Sequence, residues 1–220
     1  MWDAASGQQL QQLSGHAGAV HAVVVLPNGG RALSAGADQT IRLWNLETGK
    51  QVRLIGGMVA ERHWDPVLSL AIAADGRRAI SGSADRSARL WDLETNRELH
   101  CWPDHPGPVT AVGFAHGGEF VVTAASGQLA VWDLASSQLL RRLEGHDKPV
   151  RSVAVSADGR ILASGGEDRT VRLWDVATGQ LLRTFDGHRS WVLSVAIASD
   201  GRQIASGGAD RCLYLWRVQP

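Results

Sequence analysis

Val171-Arg172-Leu173-Trp174-Asp175 is the clearest copy of a short pattern that returns along the whole chain. Related residues occur at Ile41–Asn45, Ala88–Asp92, Val131–Asp133 and Leu213–Arg217. The tryptophans that mark the pattern lie 41 to 47 residues apart, at Trp2, Trp44, Trp91, Trp132, Trp174 and Trp216. A period near forty residues predicts an array of small repeating structural units.

The fourth unit shows how one repeat is built. Val150–Val155 and Arg160–Gly166 are apolar runs of strand length, and Asp158-Gly159 between them is a strong hairpin signal. Turns at Glu167–Arg169 and Ala177–Gly179 divide the rest of the unit into two more short runs. No helical periodicity competes with this pattern. Each unit is therefore predicted to form four short antiparallel strands, which is one blade of a propeller.

Gly-His dipeptides stand upstream of three of the tryptophans, at Gly15-His16, Gly145-His146 and Gly187-His188. Together with the Trp-Asp pairs, the turns and the period, they resemble the WD40 repeat over essentially the whole chain. This resemblance implies an all-β fold: a WD40 β-propeller of five four-stranded antiparallel blades, forming one domain over residues 1–220.

The two ends of the chain have complementary patterns. Gly7–Leu13 reads as an outer fourth strand, and Val192–Trp216 supplies three inner strands without an outer one. WD40 propellers commonly close through such ends, so we expect the N-terminal outer strand to pair with the C-terminal three strands and remove the exposed edges. A ring closed in this way is expected to be a monomer. Five blades are few for this family, and the alternative is that residues 1–220 are part of a longer array.

The bulk composition argues against several classes of partner, although balanced charge still allows a local charged patch. The chain has 22 basic and 22 acidic side chains, so no net field attracts nucleic acid or an anionic membrane, and neither is expected as a partner. No apolar stretch approaches the roughly twenty residues that span a bilayer, and no targeting segment is evident. We therefore expect a cytoplasmic location. Cys101 and Cys212 fall in different units, which argues against a disulfide.

A histidine precedes the first strand of every unit, at His16, His63, His105, His146 and His188. Metal ligands must converge within about 2.0 to 2.1 Å of one ion, which histidines in separate blades cannot do, so no metal or cofactor is expected. The WD40 resemblance instead implies a buried tetrad in which the His hydrogen-bonds with a Ser or Thr, a turn Asp and the Trp. The matching tetrads are His16, Ser34, Asp38 and Trp44; His63, Ser81, Asp85 and Trp91; His146, Ser164, Asp168 and Trp174; and His188, Ser206, Asp210 and Trp216.

The recurrence of Ser, His and Asp also invites a hydrolase interpretation. The set repeats four times at positions expected to be buried, whereas catalysis needs one accessible nucleophile beside a cleft. We therefore expect no catalytic residues.

The third unit departs from the tetrad pattern. His105, Thr123 and Trp132 are present, but the turn Ala124–Gln128 is one residue short and has no Asp. A network without its carboxylate is expected to leave His105 or Thr123 partly unsatisfied. The third blade is therefore predicted to be the least stable.

Trp64 and Trp191 fall outside the periodic set and are the first candidates for partner binding. Both lie between the tetrad His and the first strand, where the WD40 resemblance places the face around the channel mouth. Tryptophan is enriched in binding hot spots, although packing between adjacent blades is the alternative. Further candidates in the same loops, at the first-strand entrance or beside a turn Asp are His21, Thr110, Lys148, Arg151, Glu167 and Arg189.

The second unit carries an extended loop, Gly56–Arg62, before its histidine. Inserted loops on repeat arrays often lie on a binding face, and the glycines and Met58 would make this loop adaptable. Partner binding and neutral sequence drift explain the insertion equally well.

These features favour a noncatalytic scaffold that presents blade loops to a protein or peptide partner. The alternative is a regulatory or sensory WD40 domain of a larger chain that carries an enzyme. A propeller enzyme or small-molecule receptor is less favoured, because the sequence has no solitary nucleophile, phosphate-binding loop or zinc spacing.

Overall fold

The computed structural model describes residues 1–56, 62–198 and 201–218, and these form an all-β structure of five antiparallel sheets. The first sheet contains β1 (Val20–Val25), β2 (Arg31–Gly36), β3 (Ile41–Asn45) and β4 (Gln51–Ile55). The second contains β5 (Val67–Ile72), β6 (Arg78–Ser83), β7 (Ala88–Asp92) and β8 (Arg97–Trp102). The third contains β9 (Val109–Ala115), β10 (Phe120–Ala125), β11 (Gln128–Asp133) and β12 (Leu139–Leu143). The fourth contains β13 (Val150–Val155), β14 (Ile161–Gly166), β15 (Thr170–Asp175) and β16 (Leu181–Asp186), and the fifth contains β17 (Val192–Ile197), β18 (Gln203–Gly208) and β19 (Leu213–Arg217).

Within each sheet the strands pair in chain order, so every sheet is a simple meander of neighbouring hairpins. The predicted Asp158-Gly159 turn joins β13 to β14, and Gly159 has a φ of 73°. A Cβ at Gly159 would lie 2.0 Å from the backbone nitrogen of His116, so glycine is required there for space as well as for its backbone conformation. His116 belongs to a single turn of 3-10 helix, His116–Gly118, between β9 and β10.

The first strand of each later sheet packs against the first and second strands of the sheet before it, and third-strand side chains share the same cores. Val67 and Leu70 of β5 share one buried core with Ile41 and Leu43 of β3. Equivalent apolar clusters join the second sheet to the third, the third to the fourth and the fourth to the fifth. The second, third and fourth sheets are therefore covered on both faces by a neighbouring sheet.

The fifth sheet has three strands, and within the described residues no strand pairs with the outer edge of β19. The N-terminal segment instead forms one antiparallel bridge of its own, between Trp2 and Gln9. The expected pairing of Gly7–Leu13 with the fifth sheet is therefore not observed, since Gln9 already has Trp2 as its partner. Met58, in the extended loop of the second unit, lies outside the described residues.

Candidate protein-interaction face

Each of the five sheets has a β-bulge where its first strand begins. In the fourth sheet Val150 pairs with Gly166 and Ser152 pairs with Gly165, so Arg151 between them has no partner in the ladder. A bulge leaves its extra residue unpaired and redirects the side chain, and such features occur beside functional sites. The unpaired residues at this repeated position are His21, Leu68, Thr110, Arg151 and Leu193.

Three of these bulge residues line one pocket that crosses the second, third and fourth sheets. Its volume is about 260 Å³. The lining residues are Leu68, Ala84, Pro108, Thr110, Ser126, Pro149 and Arg151. The walls are mainly apolar, and the Arg151 guanidinium provides the charged group. The pocket is thus suited to an apolar side chain with a polar group near its rim.

Arg151 also connects this pocket to Trp191. Its guanidinium forms an ion pair with Glu167, in the turn between β14 and β15, and lies 5.6 Å from the ring centroid of Trp191, which precedes the fifth sheet. Trp191 is nevertheless 46% exposed. The structure therefore brings together three of the residues predicted to bind a partner, and we call Arg151, Glu167 and Trp191 the blade 4–5 cluster.

The remaining candidates are exposed but do not belong to this cluster. Trp64 has its own cationic neighbour, Arg62, at 5.2 Å, and its backbone N–H donates to the Asp85 carboxylate. His21, Lys148 and Arg189 are exposed. The exposure of Trp64 and Trp191 shows that neither indole is a buried packing residue.

Sequence reasoning missed most of the residues that line the pocket. Leu68 shares its position in the repeat with Arg151 and Thr110, immediately after the first-strand Val, and that shared position was the available signal. Pro108 and Pro149 gave no comparable signal, because a proline before a strand has an ordinary explanation as an extended residue. Only the packing of three sheets places these side chains around one opening.

The four complete His, Ser, Asp and Trp sets lie within hydrogen-bond distance in their own sheets. In the second sheet His63 Nδ1 is 2.8 Å from Asp85, His63 Nε2 is 2.7 Å from Ser81 Oγ, and Trp91 Nε1 donates to Ser81 Oγ at 2.8 Å. A carboxylate only accepts hydrogen bonds, so His63 Nδ1 must donate to Asp85. The other three sets repeat this geometry at 2.6 to 2.9 Å.

These networks hold their carboxyl groups ionised. Burial by itself would raise the pKa of Asp85, but hydrogen bonds from His63 and Ser87 and attraction to His63 outweigh it and hold the pKa well below its ordinary 3.8. The pKa values of Asp38, Asp168 and Asp210 are also lowered, because hydrogen bonds from backbone N–H groups and from the tetrad histidine outweigh the opposing effect of burial. Ser81 is fully buried, so its hydroxyl is in no position to attack a substrate at the surface.

The third sheet satisfies its histidine without a carboxylate. His105 Nδ1 lies 3.2 Å from the backbone oxygen of Arg86 in the second sheet, and His105 Nε2 lies 3.1 Å from Thr123 Oγ1. Trp132 Nε1 donates to the same Thr123 oxygen at 2.9 Å. The expectation of an unsatisfied His105 or Thr123 was wrong, because a backbone carbonyl from the neighbouring blade replaces the missing Asp. Burial lowers the pKa of His105 below its ordinary 6.5.

Other chemistry is sparse in the described part of the chain. No group of three or more His, Cys, Asp or Glu side chains there could hold a metal ion. Cys101 and Cys212 are free thiols, and burial raises the pKa of Cys101. Those residues also include no helix with the length and apolar character needed to cross a membrane.

Comparison with known proteins identifies the family. The WD domain, G-beta repeat family matches the chain five times, at residues 7–45, 58–92, 96–133, 137–175 and 179–217. These matches cover most of the sequence, so the chain belongs to the WD40 repeat family and the resemblance seen in the sequence is confirmed.

Individual relatives match a much shorter stretch. The eukaryotic translation initiation factor 3 subunit I of Neosartorya fischeri is 43% identical over 53 residues, which is 24% of this chain and 16% of the relative. The subunit of the same name from Emericella nidulans is 42% identical over 53 residues, again 24% and 16% of the two chains. That from Xenopus tropicalis is 44% identical over 55 residues, 25% of this chain and 17% of the relative. The matched segment therefore spans about a sixth of the relatives' length.

Proposed function

We propose that residues 1–220 act as a single noncatalytic interaction module that presents its first-strand bulges and adjoining loops to a protein or peptide partner. The observation that carries the proposal is the blade 4–5 cluster beside the 260 Å³ pocket. Both features are formed by the starts of the first strands and by the turns that follow the second strands, and the packed sheets support these segments.

Trp191 provides the anchor in this proposal. A half-exposed indole can bury a large apolar area when a partner covers it, and Trp and Arg are enriched among residues that dominate binding energy. Arg151 holds the indole from one side, so part of the entropy cost of ordering Trp191 is met before a partner arrives.

The neighbouring pocket defines what the partner should offer. Leu68, Pro108 and Pro149 supply an apolar lining, and Arg151 and Glu167 supply one charge of each sign at its edge. A peptide with an apolar side chain next to a polar or charged residue fits these surroundings. Neither nucleic acid nor a membrane is proposed as a partner.

The relatives' names support a protein partner, since they describe a subunit of a translation initiation factor. We extend only the general feature, assembly with other proteins, to this chain, and propose a cytoplasmic location for it. The pairing of the N-terminal outer strand with the C-terminal three strands is also part of the proposal. It can form within one chain or between two copies, and both arrangements cover the same surfaces.

Affinity capture from a cytoplasmic extract tests the module. The wild-type chain is compared with Trp191→Ala and with Leu182→Ala, which removes an exposed apolar side chain from the outer strand β16. We expect a partner that binds the wild type and Leu182→Ala and is depleted about tenfold or more by Trp191→Ala, which corresponds to about 1.4 kcal/mol. Capture of the same proteins by all three would refute the assignment of the binding face.

A further inference from the structure

Two sheet faces at opposite ends of the array are apolar and uncovered in the described structure. Val20 and Val23 on β1 are 49% and 63% exposed, although Val67 at the position of Val20 is fully buried. Leu213 and Leu215 on β19 are 71% and 69% exposed. Soluble chains rarely leave such apolar patches open, so each face is expected to have an occupant.

The two faces are the opposite halves of the interface that joins neighbouring sheets. In the first interface the third-strand residues Ile41 and Leu43 share one buried core with the first-strand residues Val67 and Leu70. Leu213 and Leu215 occupy the third-strand positions, and Val20 and Val23 occupy the first-strand positions. The face of β19 therefore matches the face of β1 position by position.

A serine on the first strand also forms a hydrogen bond across the interface between neighbouring sheets. Ser69 Oγ accepts a hydrogen bond from the Val112 backbone N–H, and Ser152 Oγ accepts one from the Val195 N–H, both across sheet interfaces at 3.1 Å. Ser194 stands at the same strand position in β17 and is exposed. If β17 packed against β1 as the other sheets pack, Ser194 would face the backbone N–H of Val23.

The N-terminal segment lies in the position of an outer strand beside the first sheet. A single antiparallel bridge joins Trp2 to Gln9, seven residues later in the chain. In the first sheet Trp44 of the third strand pairs in the same way with Gln51 of the fourth strand, which is also seven residues later. Gln11 lies against Gly49, where an added Cβ would be 2.1 Å from Gln11 Nε2. Residues 7–13 therefore lie beside the first sheet as the outer strand of a preceding blade would, and within the described residues they belong to none of the five sheets.

We propose that the occupant is a second copy of this chain, joined head to tail. The sheet β17–β19 of one copy packs on β1 of the next, and residues 7–13 of that next copy become its fourth strand. Trp216 of the first copy then replaces Trp2 as the strand-pairing partner of Gln9. The four interfaces between consecutive sheets all form within one chain, whereas the β1 and β19 faces both remain exposed in it. Since the joined faces differ, the contact is heterologous and repeats until a ring closes.

Light scattering during size-exclusion chromatography of the full chain tests this proposal. Val23→Glu blocks only the β1 face, and Leu215→Glu blocks only the β19 face. The matched controls Val52→Glu and Leu182→Glu place the same charge on exposed apolar positions of the outer strands β4 and β16. We expect the wild type and both controls to have a mass of two or more chains, and each blocked variant alone to be a monomer.

Mixing the two blocked variants gives the decisive result. Val23→Glu keeps a working β19 face and Leu215→Glu keeps a working β1 face, so an equimolar mixture should form a dimer and nothing larger. A wild type that is monomeric at every concentration would overturn the proposal in favour of closure within one chain. Assembly of either blocked variant alone, or a mixture that stays monomeric, would overturn it as well. Circular dichroism checks that all variants remain folded, and capture through Trp191 is scored separately.

Discussion

The guanidinium of Arg151 lies over the indole of Trp191 and joins the fourth sheet to the loop that precedes the fifth. Arg151 reaches this position because the bulge at the start of β13 frees it from the strand ladder, and Glu167 holds its other side. A double-mutant cycle with Arg151→Ala and Trp191→Ala should give a coupling of about 0.5 to 1 kcal/mol in the free energy of unfolding, the usual size for an exposed cation–π pair. Denaturant unfolding measures it, and strictly additive effects would show that the contact contributes nothing.

Two tryptophan substitutions separate binding from folding. Trp191→Ala should weaken partner capture while changing stability little, because the ring is half exposed. Trp174→Ala should cost roughly 3 to 5 kcal/mol, because it removes a buried aromatic ring and leaves Ser164 without the indole N–H. Thermal or denaturant unfolding of each variant, run beside the capture assay, distinguishes the two roles. If Trp191→Ala unfolds the protein as Trp174→Ala does, the surface assignment is wrong.

The third blade should remain the least stable one even though its histidine is satisfied. His105 bonds to a neutral carbonyl, whereas His146 bonds to the Asp168 carboxylate, and hydrogen bonds to charged groups contribute about 1 kcal/mol more. Amide hydrogen exchange should therefore be roughly fivefold faster in β10 and β11 than in β14 and β15. Equal protection of the two sheets would contradict this expectation.

How far the sequence predicts this structure depends on whether a feature lies inside one repeat or between repeats. The spacing of Trp132 and Trp174 and the Asp158-Gly159 turn were enough to predict four strands per unit, since strand pairing within a blade is local. The Arg86 carbonyl that serves His105 was not foreseeable, because backbone oxygens carry no sequence signature and this one belongs to the preceding unit. Trp191 was recognised as a candidate from its loop, but the pocket beside it is formed by three blades.

Acid should weaken the protein through its tetrad carboxyls, and Asp85 provides the test. Its folded-state pKa lies below the ordinary 3.8 of the unfolded chain, so the unfolded chain binds more protons as the pH falls. The stabilisation from this carboxylate is therefore fully present above about pH 4 and is lost as the pH falls further. Asp85→Asn should be less stable than the wild type near about pH 6, and the difference should shrink towards about pH 3. Urea unfolding across this range measures both curves, and a constant gap between them would rule out Asp85 as the source.

Gly165 and Gly207 occupy the same strand position in the fourth and fifth sheets, yet their surroundings differ. A Cβ at Gly165 would lie 2.5 Å from Val192 Cγ1 and 2.8 Å from Val195 Cγ1, whereas a Cβ at Gly207 would meet nothing within 4 Å. Gly165→Ala should therefore cost about 1 to 3 kcal/mol by overpacking the interface between the two sheets.

Gly207→Ala serves as the matched control for that prediction. It adds the same methyl group to the same strand position, but on the uncovered face, so the unfolding free energy of a single chain should change little. In concentrated samples Gly207→Ala should leave the unfolding free energy unchanged but reduce head-to-tail assembly. A docked β1 would place Val20 and Val23 against Gly207, just as Val192 and Val195 lie against Gly165 in the fourth interface. Light scattering measures the assembly, and a Gly207→Ala chain that associates as strongly as the wild type would show that β1 does not pack on this face.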